Sequence, residues 1–102
     1  MLELRPNCEM CDKDLPPDAT EARICSYECT FCADCVDSVL HNVCPNCAGG
    51  FVPRPIRPKI DRRKGVGLVH QPASLERRSL KYSLDDIAAQ TAATKGIAPQ
   101  DR

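Results

Sequence analysis

The chain has 102 residues and a mass of 11.2 kDa, which is room for one small domain and excludes a second independent core. Aromatic residues make up only 4% of it and Trp is absent, so the usual large core side chains are scarce, while eight Cys supply the conspicuous surplus. Formal net charge is zero, yet residues 1–52 carry nine acidic and three basic side chains and residues 53–102 carry five acidic and eleven basic, so the charge is polarised along the chain.

The first residues, Met1-Leu2-Glu3-Leu4-Arg5-Pro6, have neither the cationic start nor the apolar run of a signal peptide. No stretch approaches the roughly 20 apolar residues that a membrane span needs. The expectation is a cytoplasmic protein with no membrane partner. In a reducing compartment an even set of Cys reads as a metal site before it reads as a disulfide framework.

All eight Cys fall between residues 8 and 47, as Cys8-x2-Cys11, Cys25-x3-Cys29, Cys32-x2-Cys35 and Cys44-x2-Cys47. Two Cys separated by two residues can turn both sulfurs toward one ion, with turn N–H groups stabilising the thiolates. Four such pairs saturate two tetrahedral ions and leave no open position, so both sites are expected to be structural. Thiolate donors in fours select zinc or iron–sulfur over hard cations. Eight ligands spread over forty residues favour two mononuclear zinc ions.

Between the sixth and seventh Cys, Val36, Val39 and Leu40 recur at helical spacing, which predicts a short helix over Ala33 to His41. Ile24, Phe31 and Val43 complete a small core, too small to fold without metal. A structural zinc site contributes on the order of 10 kcal/mol in peptide models. His41, three residues before Cys44, is read as solvated because eight Cys already satisfy two ions, and His70 shows no partner in the sequence.

From Pro53 a Pro at nearly every second position forbids helix and favours extended backbone. Residues 53–82 are therefore read as a largely irregular Pro/Arg-rich linker that follows a zinc-binding module over 1–52. The basic arm Arg54, Arg57, Lys59, Arg62, Arg63 and Lys64 is its candidate contact for nucleic acid or for an acidic protein surface. Ser83 as N-cap, Asp85 and Asp86 in the first turn and Lys95-Gly96 as the stop place a short helix in 83–96, with Leu84, Ile87, Ala88, Thr91 and Ala92 on one shallow stripe. Residues 97–102 are the tail.

The order and spacing of the eight Cys resemble the RING finger, with Cys29 at the fourth ligand, where that family often has His. Phe31 directly before Cys32, Met10 before Cys11 and Pro45 after Cys44 extend the likeness. It implies a cross-brace, with site one made of Cys8, Cys11, Cys32 and Cys35 and site two of Cys25, Cys29, Cys44 and Cys47. The spacings themselves equally allow a sequential arrangement in which Cys8, Cys11, Cys25 and Cys29 share an ion.

The segment from Leu2-Glu3-Leu4-Arg5-Pro6-Asn7-Cys8 through Cys44-Pro45-Asn46-Cys47 to Phe51-Val52-Pro53-Arg54-Pro55 is also similar to a family of small bacterial Cys-rich proteins, domain of unknown function 1272, over roughly the first sixty residues.

The fold class expected is a small metal-stabilised α+β module, a RING-like two-zinc cross-brace with one short helix and little regular strand, followed by a flexible tail that carries one short helix. Val39 and Ala48 stand where RING ligases carry a bulky aromatic and a basic residue, which speaks against ubiquitin-type ligase activity. No nucleophile–base pair is visible, and metal-bound thiolates are not free nucleophiles. The function expected is a non-enzymatic adaptor that binds another protein. A nucleic-acid-binding regulator using residues 54–64 is the alternative, and a ubiquitin-type ligase and a thiol/zinc redox sensor are lesser ones.

Overall fold

The computed structural model describes residues 1–102. The N-terminal segment turns back on itself at the first Cys pair. Leu15 N–H donates to Pro6 O and Cys8 N–H to Lys13 O, both at 2.8 Å, and Asn7 bridges to Asp14. This local closure buries Leu4, Cys8 and Leu15 at the centre of the molecule.

Three short strands follow: β1 (Ala22–Ile24), β2 (Thr30–Cys32) and β3 (Val52–Pro53), antiparallel in the order β2-β1-β3. Ala22 pairs with Cys32, Arg23 with Phe31 and Ile24 with Thr30, and β3 sets Val52 beside Ile24. Ile24, Thr30, Phe31 and Val52 are the β-branched and aromatic types that suit a pleated surface. Regular strand is as scarce as expected, yet its 3, 3 and 2 residues pair into a three-stranded sheet too short to show an alternation.

β2 runs directly into α1 (Ala33–Cys35), whose helix continues as a π-helical turn over Val36–Leu40 and ends at His41, in left-handed conformation at φ 46°. Val36 and Leu40 are buried, whereas Val39 lies on the outer side. Phe31 is fully buried and meets the Phe51 ring edge-on, with centroids 5.4 Å apart.

The tail is ordered along its length and packed on the module, which overturns the expectation of a flexible one. Its helix α2 (Leu84–Thr94) is capped by Ser83, whose hydroxyl accepts from Asp86 N–H at 3.1 Å, and it lies across the π-helical turn. Of its expected stripe, Ile87 and Thr91 are the buried members, one helical turn apart, and Leu84 faces solvent. Burying Ile87 is worth about 2–3 kcal/mol, enough to dock a helix already capped. Beyond α2, Arg102 donates to Asn42 O and Ala48 O, and Gly50 admits the Pro99 ring so closely that a Cβ would meet it at 3.0 Å. The radius of gyration, 14.5 Å, exceeds the ~13 Å of a compact chain this long because the molecule is elongated, 46 × 26 × 19 Å.

Candidate metal centres

The β1–β2 hairpin decides which Cys can meet. Its loop carries Cys25 and Cys29, and its far end carries Cys32 and Cys35, so a strand length of about 10 Å separates the second pair from the third. At the far end the first pair arrives from the N-terminal turn, and the sulfurs of Cys8, Cys11, Cys32 and Cys35 all lie within 4.8 Å of one another. At the loop end Cys25, Cys44 and Cys47 form a second such group. The grouping is interleaved, and the sequential arrangement is not the one adopted. Cys29 stands outside the tight trio, with Cys44, Asn46 and Cys25 as the neighbours that act on its thiol.

The dimensions suit a tetrahedral thiolate site. Cys11 Sγ and Cys32 Sγ are 3.8 Å apart, the edge of a tetrahedron with a centre-to-corner distance of about 2.3 Å. Backbone donors surround the sulfurs: Tyr27 N–H points at Cys25 Sγ and Gly49 N–H at Cys47 Sγ, each at 3.4 Å. Two knuckles are closed alike, with Asp12 N–H donating to Cys8 O and Ala48 N–H to Cys44 O. The residue after the second Cys of each is left-handed, Asp12 at φ 63° and Ala48 at φ 65°.

The neighbouring Cys44 thiol brings Cys29 down to about 5, and Cys44 itself is driven far up. Burial raises Cys25 to about 11 and also raises Cys8 and Cys35. Cys11 is held below the ordinary thiol range against the effect of burial by the backbone of Lys13 and by its cysteine neighbours. Sulfurs packed this closely cannot all be thiolates unless a cation supplies the compensating charge. Each cluster could hold a metal ion.

Several site-supporting residues carry no spacing signal. Glu9 is buried and accepts from Thr30 N–H at 2.7 Å, from Arg5 at 3.1 Å and from Asn46 Nδ2 at 3.3 Å. It thereby ties the first knuckle to the hairpin and to the loop of the last pair. Asn7, also buried, donates to Cys8 O and to Asp12 Oδ1.

The proposed arm does not stand free as a unit. Arg54 is buried and donates to the carbonyls of Arg5, Leu15 and Pro16, at 2.8, 3.2 and 2.9 Å, with no carboxylate beside it. Burial lowers its pKa from the ordinary arginine value. Arg57 donates to Leu2 O and Gln71 O, both at 2.7 Å. Lys59, Arg62, Arg63 and Lys64 remain exposed. Three backbone carbonyls converge on Arg54 from distant positions, so a residue that looks like linker charge is an internal clamp. His41 is exposed and outside both clusters, and His70 does have a partner, Asp61, at 2.6 Å.

The cations that do meet the acidic module are Arg77 and Arg78. Arg77 forks onto Asp12 Oδ1 and Asp14 Oδ1 at 2.8 and 2.6 Å, and Arg78 reaches Glu3 at 3.2 Å. Two of the eleven cations of the second half thus meet carboxylates of the acidic first half within one chain. No helix is long and apolar enough to cross a membrane.

A family model described as Protein of unknown function (DUF1272) matches residues 1–57. An uncharacterized protein of Rhizobium meliloti (strain 1021) is 62% identical over 58 residues, 57% of this chain and 69% of that protein. No solved structure matches significantly.

Proposed function

We propose, from the premise that the chain belongs to the DUF1272 family, that it is a structural zinc module with two four-cysteine sites that offers its surface to another protein and catalyses nothing itself. The observation that carries this reading is the interleaved gathering of sulfurs at the two ends of one hairpin. Cysteine fills every corner of the first cluster. Closing Cys29 onto Cys25, Cys44 and Cys47 would complete the second, which leaves neither ion a position for water or substrate. Soft sulfur donors and tetrahedral spacing favour zinc. Each loaded site would carry a net charge of minus two, and a reducing compartment such as the cytoplasm would keep its thiolates from oxidation.

The adaptor reading is preferred to the nucleic-acid reading because Arg54 and Arg57 are spent on internal carbonyls. Only four cations of the arm are left to meet phosphates. The test is a pair of single substitutions, Cys35→Ser in the first cluster and Cys44→Ser in the second, read by metal content and amide NMR. Because the hairpin shares its two ends between the sites, each variant should lose one ion and lose dispersion across residues 8–47. Retention of two ions by either variant would reject the assignment.

A further inference from the structure

Residues 74–80 cross the N-terminal turn as an extended segment. Ser74 N–H donates to Leu4 O and Leu80 N–H to Glu9 O, both at 3.0 Å. Between them the side chain of Asn7 grips the backbone of Arg78 from both sides, donating to Arg78 O at 2.8 Å and accepting from Arg78 N–H at 3.1 Å. A buried side-chain amide that pairs with both the N–H and the C=O of one extended residue reads peptide backbone irrespective of sequence, as an added strand does.

Selectivity comes from what flanks that clamp. Arg77 enters the acidic corner of Asp12 and Asp14, adding a bond from Nη2 to Asp12 O at 2.7 Å. Arg78 turns to Glu3, and Leu80 packs its side chain against the core. Arg78 and Leu80 are two residues apart and so share one side of an extended strand, while Arg77 faces the other. All the groove residues lie within the stretch matched by the family model, and the segment occupying it lies outside.

We propose that the face built by residues 3–14 is a recognition groove for an extended peptide carrying two adjacent arginines and an apolar residue two positions beyond the second. The chain's own Arg77-Arg78-Ser79-Leu80 fills it in cis. This deepens the adaptor reading, on which it rests, by giving the partner's chemistry and the segment it must displace. A tethered cis ligand acts at an effective concentration near millimolar, so an outside peptide meets a groove that is open only fractionally.

The test uses the full-length zinc-loaded chain with Arg77→Glu and Arg78→Glu together, which empties the groove, and a fluorescent peptide of residues 72–82 followed by anisotropy. The released chain should bind the peptide saturably and at least about tenfold more tightly than the wild type. A peptide in which both arginines are replaced by Glu should not bind. Absence of saturable binding, or equal binding of the Glu peptide, would overturn the groove.

Zinc content and NMR dispersion of the released chain are measured first. Missing metal there counts against the module reading, whereas two bound ions without peptide binding count against the groove alone. A second arm needs no substitution in the protein. Excess wild-type peptide added to the wild-type chain should shift the backbone N–H groups of the displaced Arg78 and Leu80, and the Glu peptide should leave both in place. Unmoved resonances with both peptides would also overturn the proposal.

Discussion

Asn7 and Arg78, 71 positions apart in the chain, are joined by a reciprocal pair of hydrogen bonds between a buried side-chain amide and one residue's backbone. That pair fixes the second half of the molecule onto the first. Replacing Asn7 by Ala also removes the bonds to Cys8 O and Asp12 Oδ1 and leaves backbone groups without partners. The expected cost is about 1–3 kcal/mol. Hydrogen exchange should show it locally, with protection lost at Arg78 and Leu80 while the β1–β2 amides keep theirs. Arg77→Ala, whose ion pairs are exposed, should leave the thermal midpoint nearly unchanged.

Arg54 gathers three carbonyls of the N-terminal turn onto one guanidinium. Lysine keeps the charge but cannot form the planar fork. Arg54→Lys is therefore expected to destabilise the chain by about 1–3 kcal/mol in denaturant unfolding. Arg62→Lys, on the exposed part of the same arm, should change nothing measurable.

Ala48 holds a left-handed conformation at φ 65° to close the knuckle of the last Cys pair. For a residue with a Cβ this costs about 1–2 kcal/mol, part of which glycine returns as greater freedom in the unfolded chain. Ala48→Gly should raise stability by about 0.5–1 kcal/mol, seen as a thermal midpoint a few degrees higher with metal content unchanged.

Metal affinity should rise with pH. Without an ion, burial pushes the Cys25 thiol up to about 11 and raises Cys8 and Cys35, and the neighbouring Cys29 raises Cys44, so several sulfurs keep their protons at neutral pH. Each must leave before a thiolate can bind, so protons compete with the metal and acid weakens the complex. Every proton released makes the apparent dissociation constant roughly tenfold larger per pH unit lowered below the thiol range. Calorimetric titration in buffers of different ionisation enthalpy counts the protons. A pH-independent affinity would remove this description of the clusters.

The ligand arrangement is legible in the sequence to the extent that chemistry is local. Paired Cys at short spacing announce knuckles, and Ser83 with Asp86 announces the start of α2, because a cap is made by residues three apart. The choice between interleaved and sequential ligand groups is open in the spacings and is decided by the hairpin, whose loop and far end hold different pairs. The sheet itself is hidden because its strands are two or three residues long and β3 ends on a Pro that reads as linker.

The tail is hard to read for a related reason. A contiguous run of cations, residues 54–64, stands out in the sequence, yet the pair that meets the acidic module is Arg77 and Arg78, and Arg54 lies inside. Which charge finds a carboxylate and which finds carbonyls depends on contacts made over 38 to 75 positions, for which no local pattern exists.

Whether two structural metal ions share one hairpin is decided by native mass spectrometry of the chain purified under reducing conditions, followed by chelation under NMR observation. Two zinc ions per chain are expected, with a collapse of dispersed resonances across residues 8–47 once they are removed. A metal-free chain with four disulfides, or a spectrum that stays dispersed after chelation, would contradict it.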